Sequence, residues 1–171
     1  YTLLCDENQM VGNIIDSMDT LLEKGYQILK FKNSFDNPIY KGINTIIRSP
    51  EGLTFELQFH TKQSFNVKEK LNHTFYEIYR NKFTSIEETQ LSSKIMKLNT
   101  SKINVPEGIQ DLSIGSVYSK SKYMAFAINR YIEAKNLAGN MPDFNAYRSH
   151  LQDHAVEVVN YAYDILRKYN L

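Results

Sequence analysis

The sequence predicts an α/β (α+β) core, in which helices flank a mixed β-sheet, followed by a C-terminal α-helical extension. Three observations predict this class. Short segments with apolar residues at every second position alternate with longer segments in which apolar residues recur every three or four positions. The 171 residues, 42% hydrophobic and 23% charged, suffice for one sizeable core. Small polar residues, Pro106 and Gly108 interrupt the periodicity, which divides the chain into a core at 1–98, a linker at 99–116 and a helical extension at 117–171.

The core is predicted to follow the order β-α-β-β-β-α. A short apolar strand at 1–5 precedes a helix from Glu7 to Lys24, where Gly25 provides a natural stop. The remaining strands, each with alternating apolar residues, are predicted at 26–32, 40–48 and 53–61, with a turn at 49–52 between the last two.

Helical spacing resumes near Ser64, after the last predicted strand. The residues expected to point inward from this helix are Val67, Leu71, Phe75 and Ile78. The next helix begins at Thr84 or Ser85, because both fit the capping-box pattern with a glutamate three residues later. Beyond the linker, helices are predicted at about 119–137 and 143–169.

Composition excludes several classes of protein. Twenty basic and nineteen acidic residues give a net charge of +1, which offers no general attraction to nucleic acid or membranes. The single cysteine, Cys5, cannot form an internal disulfide. No apolar run approaches the roughly 18 residues that span a bilayer, so no membrane contact is predicted. The opening "YTLLCDE" enters an apolar run without a methionine, which predicts a fragment or module of a longer protein.

Three familiar kinds of site are disfavoured. His150 and His154 lie one helical turn apart, with Glu157 one turn beyond, and could bind zinc. A structural or solvated pair is favoured instead, because the general-base glutamate of the metalloprotease motif is absent and no further histidine lies nearby in sequence. Cys5 lies in an apolar strand, as a small core residue does, rather than as a nucleophile paired with histidine. The seven glycines are scattered and form no phosphate-binding loop.

The stretch "LTFELQFHT" at 53–61 carries the most informative pattern. Its apolar residues alternate with Thr54, Glu56, Gln58 and His60, which therefore share the other face of the strand. A carboxylate in the middle of such a row can hold a divalent cation or accept a proton from a hydroxyl. The competing interpretation is an ordinary polar outer face of the sheet.

Neighbouring segments add groups suited to a nucleotide. Aromatic side chains can stack on a base, and cations can bind phosphate. The residues concerned are Tyr40, Lys41 and Asn44 on the preceding strand, and Lys68, His73, Tyr76 and Arg80 on the following helix. Asn44 and Glu56 share a face only if the loop between their strands has an odd residue count, and a four-residue loop would separate them.

These residues carry a family resemblance. "YKGIN" at 40–44, "FELQFHT" at 55–61 and "HTFYEIYR" at 73–80 resemble the motifs of RelA/SpoT-type (p)ppGpp synthetase domains and of small alarmone synthetases and toxins. Asn44 stands where that family has histidine, and His60 where it has arginine. The resemblance covers about residues 1–80 and implies a nucleotidyltransferase-like synthetase core.

The resemblance implies an ATP-dependent pyrophosphokinase that uses Mg²⁺ and acts on the 3′-hydroxyl of a nucleotide or tRNA. Glu56 would activate this hydroxyl and bind the metal, with Gln58 beside it. The expected acceptor-binding residues are Tyr40, Asn44, His60, His73 and Tyr76, with Lys41, Lys68 and Arg80 near phosphates. The enzyme would act in the cytoplasm, its own or that of a target cell. Toxin relatives further imply an antitoxin or immunity partner.

A non-catalytic binding or assembly module is the alternative. The family's donor-ATP and metal-binding residues precede the strand that begins this chain, and Asp6 lies beyond that strand. A degenerate synthetase or a phage-associated structural domain would have the same core without the reaction.

Overall fold

The computed structural model describes residues 1–129, which contain a four-stranded mixed sheet with the order β1-β4-β3-β2. β1 is parallel to β4, whereas β4 with β3 and β3 with β2 are antiparallel. The strands are β1 (Thr2–Cys5), β2 (Gln27–Asn33), β3 (Ile43–Arg48) and β4 (Thr54–Thr61). This architecture confirms an α+β class with a mixed sheet and all four predicted strands.

Helices connect and cover the strands. A 3₁₀ turn (Glu7–Gln9) leads into α1 (Met10–Glu23), which ends where Gly25 adopts a φ of 90°. The amides of Gly25 and Tyr26 donate to the carbonyls of Leu22 and Leu21, so the predicted glycine stop is a Schellman motif. The later helices are α2 (Lys62–Asn66), a π-helical turn (Val67–Asn72), α3 (His73–Arg80), α4 (Ile86–Thr100) and α5 (Ile114–Lys120).

The hydrophobic core lies between α1 and one face of the sheet. The buried residues of α1 recur every four positions, as the predicted amphipathic helix requires. They are Met10, Ile14, Met18 and Leu22. Ile109 and Leu112, from the predicted linker, and Val117, from α5, are buried in the same core cluster. The chain after α4 thus returns to the sheet and packs against it.

The π-helical turn changes which residues of its helix point inward. Val67 is buried and Leu71, predicted to be buried, is 45% exposed. Asn72 is buried in its place, five residues after Val67. Since a π-helix bonds residues five apart instead of four, the inward face moves on by one position. The prediction for Leu71 was therefore wrong, because it assumed an uninterrupted α-helical period.

Two further boundaries differ from prediction. Ser85 alone forms the capping box with Glu88, which decides between the two predicted starts of α4. The helix predicted from Ser119 is interrupted, because α5 ends at Lys120 and residues 122–129 form a separate helical segment. The amide of Met124 donates to the Ser121 side chain at this break. The predicted helix at 143–169 and the His150/His154 pair lie outside the described residues.

In the part of the chain that the structure describes, no helix has the length and apolar character needed to cross a membrane.

Candidate functional site

A cavity of about 670 Å³ lies against the sheet face opposite α1. β2, β3 and β4 form its floor, and the π-helical turn, α3 and α4 contribute its walls. It is lined by Lys30, Lys32, Ser34, Asn37, Ile39, Tyr40, Lys41, Asn44, Ile46, Glu56, Gln58, Ser64, Val67, Lys68, Glu69, Asn72, His73, Tyr76, Glu77, Met96, Thr100 and Ile103. Its volume falls within the range of small-molecule sites.

The register of the β3–β4 hairpin brings the predicted residues together. Arg48 pairs with Thr54, so the loop consists of residues 49–53, an odd number. Asn44 pairs with Gln58, and Glu56 pairs with Ile46, which places Asn44 and Glu56 diagonally on the same face. Leu53, predicted to begin the strand, instead belongs to the loop and is 72% exposed.

The Glu56 carboxylate is held by two amides. Asn44 Nδ2 donates to Oε1 at 3.1 Å, and Gln58 Nε2 donates to Oε2 at 3.0 Å. Lys68 Nζ in turn donates to Gln58 Oε1 at 3.0 Å and forms an ion pair with Glu69 at 2.9 Å. These bonds join β3, β4 and the π-helical turn into one polar network on the cavity floor.

The same bonds determine the charge of Glu56. The hydrogen bond from Asn44 is the largest influence and lowers the pKa of Glu56, and the Gln58 amide and the Lys68 charge lower it further. Glu56 is therefore ionised at neutral pH. A carboxylate with a lowered pKa is a weak general base but a good ligand for cations and a good acceptor from a hydroxyl.

Tyr40 and His60 lie beside this network. Tyr40 Oη donates to Asn44 Oδ1 at 2.8 Å and lies 3.1 Å from His60 Nε2. Burial raises the pKa of Tyr40 to about 12 and lowers that of His60 to about 4, so both are neutral near pH 7. His60 is fully buried and does not line the cavity, which puts it behind Tyr40 and not in contact with a ligand.

The other predicted residues fall into two groups. His73, Tyr76, Lys41 and Lys68 line the cavity. The ammonium of Lys41 donates to the backbone carbonyl of Phe35, which fixes the loop before β3. Arg80 does not line the cavity. It forms an ion pair with Glu77 and stacks on the Tyr76 ring, with its charge 5.6 Å from the ring centroid.

Sequence reasoning missed two lysines on the cavity face of β2. Lys32 pairs with Asn44, and Lys30 pairs with Ile46, so each lysine continues a row that crosses β3 to Gln58 or Glu56. Within residues 1–129 neither lysine forms an ion pair. The alternation Lys30-Phe31-Lys32 was the available signal, since it puts both charges on one face of a strand.

A magnesium ion would find limited but suitable ligands here. The described residues contain no cluster of three or more histidine, cysteine, aspartate or glutamate side chains that could hold a metal. Glu56 is exposed, and each of its carboxylate oxygens accepts one hydrogen bond, from the side-chain amide of Asn44 or of Gln58, which leaves lone pairs free. Magnesium in nucleotide sites is commonly held by one or two carboxylates together with substrate phosphates and water. Glu56 fits that limited role.

No protein-family model, curated protein or solved structure matches this chain. The synthetase resemblance of the motifs at 40–80 therefore stays a prediction.

Proposed function

We propose that the cavity binds nucleotides and that the chain is a pyrophosphokinase of the RelA/SpoT type, directed at the 3′-hydroxyl of a nucleotide or an RNA end. One observation carries the proposal: the ionised Glu56 carboxylate, fixed by Asn44 and Gln58, stands on the floor of a cavity with aromatic and cationic walls. The motifs that resemble the synthetase family supply Asn44, Glu56 and Gln58 to this floor, and His73 and Tyr76 to the wall.

The lining groups suit the parts of a nucleotide. Tyr76 is partly exposed at the cavity and offers a ring on which a base can stack. Lys30 and Lys32 offer cations to phosphates. The hydroxyl of Tyr40 is anchored by Asn44, so its ring would meet the ligand in one orientation.

In the proposed reaction, the acceptor 3′-oxygen forms a bond to the β-phosphorus of ATP. The bond from that phosphorus to the oxygen bridging the α-phosphate breaks, and AMP leaves with the electron pair. Glu56 accepts a hydrogen bond from the attacking hydroxyl and aligns it, and the hydroxyl proton passes to solvent water as the new bond forms. Bound Mg²⁺ would neutralise phosphate charge. Positioning and charge neutralisation supply most of the catalysis in such transfers.

A non-catalytic nucleotide-binding module is the second candidate. It is favoured by the internal bonding of the network, in which Gln58 and Lys68 already contact one another and the carboxylates of Glu56 and Glu69. Internally bonded polar networks also occur where the role is structural.

Two measurements separate these candidates. Calorimetric titration with ATP and GTP, with and without Mg²⁺, measures binding, and incubation with GTP or tRNA and ATP labelled at the β-phosphate measures transfer. We expect Mg²⁺-dependent binding and labelled acceptor, with transfer falling at least about 100-fold in Glu56→Gln and unchanged in the exposed control Glu107→Gln. Binding without transfer would favour the module, and absence of binding would contradict both candidates.

A further inference from the structure

A continuous chain of hydrogen bonds runs from the buried Ser64 to the exposed Glu56. Ser64 Oγ lies 2.9 Å from His60 Nδ1, and His60 Nε2 lies 3.1 Å from Tyr40 Oη. Tyr40 then contacts Asn44 at 2.8 Å, and Asn44 contacts Glu56 at 3.1 Å. The chain connects the N-terminal turn of α2 to the cavity floor.

Donor and acceptor counting gives every bond in this chain one direction. An ionised carboxylate only accepts, so Asn44 presents Nδ2 to Glu56 and must present Oδ1 to Tyr40. The only hydroxyl proton of Tyr40 goes to Asn44. Tyr40 Oη must therefore accept from His60 Nε2–H.

The protonation state of the other ring nitrogen of His60, Nδ1, follows from this assignment. A neutral imidazole has one N–H, so Nδ1 is the bare nitrogen and accepts from the Ser64 hydroxyl. The backbone amide of Thr61 donates to Ser64 Oγ at 3.1 Å. The hydroxyl proton has two acceptors within reach, the Thr61 carbonyl at 3.3 Å and His60 Nδ1 at 2.9 Å, and the shorter distance assigns it to the ring. The surroundings thus select one tautomer of His60.

We propose that His60 is a positioning residue, which as the neutral Nε2–H tautomer fixes the Tyr40 hydroxyl and through it the amide of Asn44 that orients Glu56. This inference rests on the proposed function for its consequence in nucleotide binding, but the tautomer itself does not depend on it. Loss of the donor at His60 would free the Tyr40 hydroxyl to rotate, and Asn44 Oδ1 would lose its fixed hydrogen-bond donor.

The space around His60 suits an imidazole and excludes a bulkier cation. The ring is fully buried, and a Cβ atom added at Gly42 would lie 2.6 Å from His60 Cε1 and 2.8 Å from Tyr40 Oη. Gly42 therefore allows both rings to approach the backbone. A lysine or arginine at position 60 would bring a charge into a fully buried site, at a large desolvation cost.

Nitrogen-15 NMR of the histidine rings in the free protein at pH 7 tests the tautomer directly. We expect a pyrrole-type shift at Nε2 of His60 and a pyridine-type shift at Nδ1. The opposite tautomer, or averaged shifts from a mixture, would overturn the proposal even if nucleotides bind. A protein that shows the expected tautomer but binds no nucleotide would instead contradict the proposed function.

Variants test whether His60 acts through Tyr40. His60→Met fills similar space without a donor, whereas His60→Gln can present an amide N–H to Tyr40. We expect His60→Met to raise the pKa of Glu56, which carbon-13 NMR of the carboxyl group measures. His60→Met should also weaken ATP–Mg²⁺ binding about fivefold. His60→Gln should bind ATP–Mg²⁺ within about twofold of the parent. In a Tyr40→Phe background His60→Met should add no further change.

Two results contradict this pathway. Equal losses from His60→Met in the parent and in the Tyr40→Phe background would show that His60 acts independently of the hydroxyl. An unchanged Glu56 pKa in folded His60→Met would show that the ring only fills space. If His60→Met does not fold, His60→Gln decides, because a raised Glu56 pKa in that variant would contradict rescue by a donor.

Discussion

At the scale of single residues, the state of Glu56 constrains what the site can do. Two amides donate to its carboxylate, and its pKa is lowered chiefly by Asn44. Such a group takes up a proton poorly, so it would assist a reaction by orienting a hydroxyl and attracting cations. Catalysis at this site would therefore depend more on geometry than on proton affinity.

Gly42 is a residue at which that geometry tolerates little change. Gly42→Ala should destabilise the fold by about 1–3 kcal/mol, because the new methyl group would overlap the His60 ring and the Tyr40 hydroxyl. Gly12→Ala is the matched control, because Gly12 lies on the exposed face of α1 and a Cβ atom added there has no neighbour within 4 Å. This substitution should stabilise the fold by up to about 1 kcal/mol. Urea unfolding measures both. Equal effects of the two substitutions would contradict the predicted crowding.

His60 should make stability depend on pH. Burial is the main cause that lowers its pKa from 6.5 to about 4, with Lys68 adding to it. Between pH 6.5 and pH 4 the histidine is protonated in the unfolded chain but stays neutral in the folded chain. The contribution of His60 to the free energy of unfolding is therefore highest above pH 6.5 and falls toward pH 4 by roughly 3 kcal/mol at most. The lowered pKa of Glu56 adds a loss only below its ordinary 4.5.

Denaturant unfolding of the parent and His60→Gln from pH 8 to pH 4 measures this dependence. The parent should lose stability between pH 6.5 and 4, and His60→Gln should lose clearly less over that interval. Parallel curves for the two proteins would contradict a buried neutral His60.

At the scale of elements, the π-helical turn determines how the helix after β4 meets the cavity. It puts Asn72 in the interior, where Nδ2 donates to Thr100 Oγ1 at 3.0 Å and Oδ1 accepts from Asn99 Nδ2 at 3.0 Å. The same turn carries Lys68 to Gln58. One irregular turn therefore ties α4 to the cavity wall and supplies the lysine of the polar network.

Asn72→Ala should destabilise the protein by about 1–3 kcal/mol, because it leaves the buried Thr100 hydroxyl and the Asn99 amide without their partner. Asn66→Ala, an exposed position on the same helix, should change stability by no more than about 0.5 kcal/mol. Thermal unfolding followed by circular dichroism compares them. A smaller loss from Asn72→Ala than from Asn66→Ala would argue against the buried role of Asn72.

Sequence patterns predicted the elements better than their exact faces. Alternation in β4 and the four-residue spacing in α1 each report burial on one side, so both were recognised. Whether Asn44 meets Glu56 depends on the length of the hairpin loop, which a strand pattern does not report. Leu71 was misplaced because an inserted π-helical turn leaves no periodic signal, and the burial of His60 depends on packing by distant segments.

At the scale of the whole molecule, the described chain after α4 belongs to the same core as the sheet. Ile109 and Leu112 are buried in the cluster that contains α1, and the Asn33 amide at the end of β2 donates to the carbonyls of both. A segment that sequence reasoning assigned to a linker therefore closes one side of the core. Its removal would expose apolar surface on the face opposite the cavity.

Ile109→Ala should therefore lower the stability of the whole described fold, by about 2–4 kcal/mol, because it deletes a fully buried side chain. Ile86→Ala is the matched control at a 77% exposed position, where the loss should stay below about 1 kcal/mol. Urea unfolding followed by both far-UV circular dichroism and tyrosine fluorescence should give coincident transitions for Ile109→Ala, shifted together to lower urea. If only one probe shifts while the other keeps the parent's midpoint, the segment unfolds separately, and the cavity floor would not depend on it.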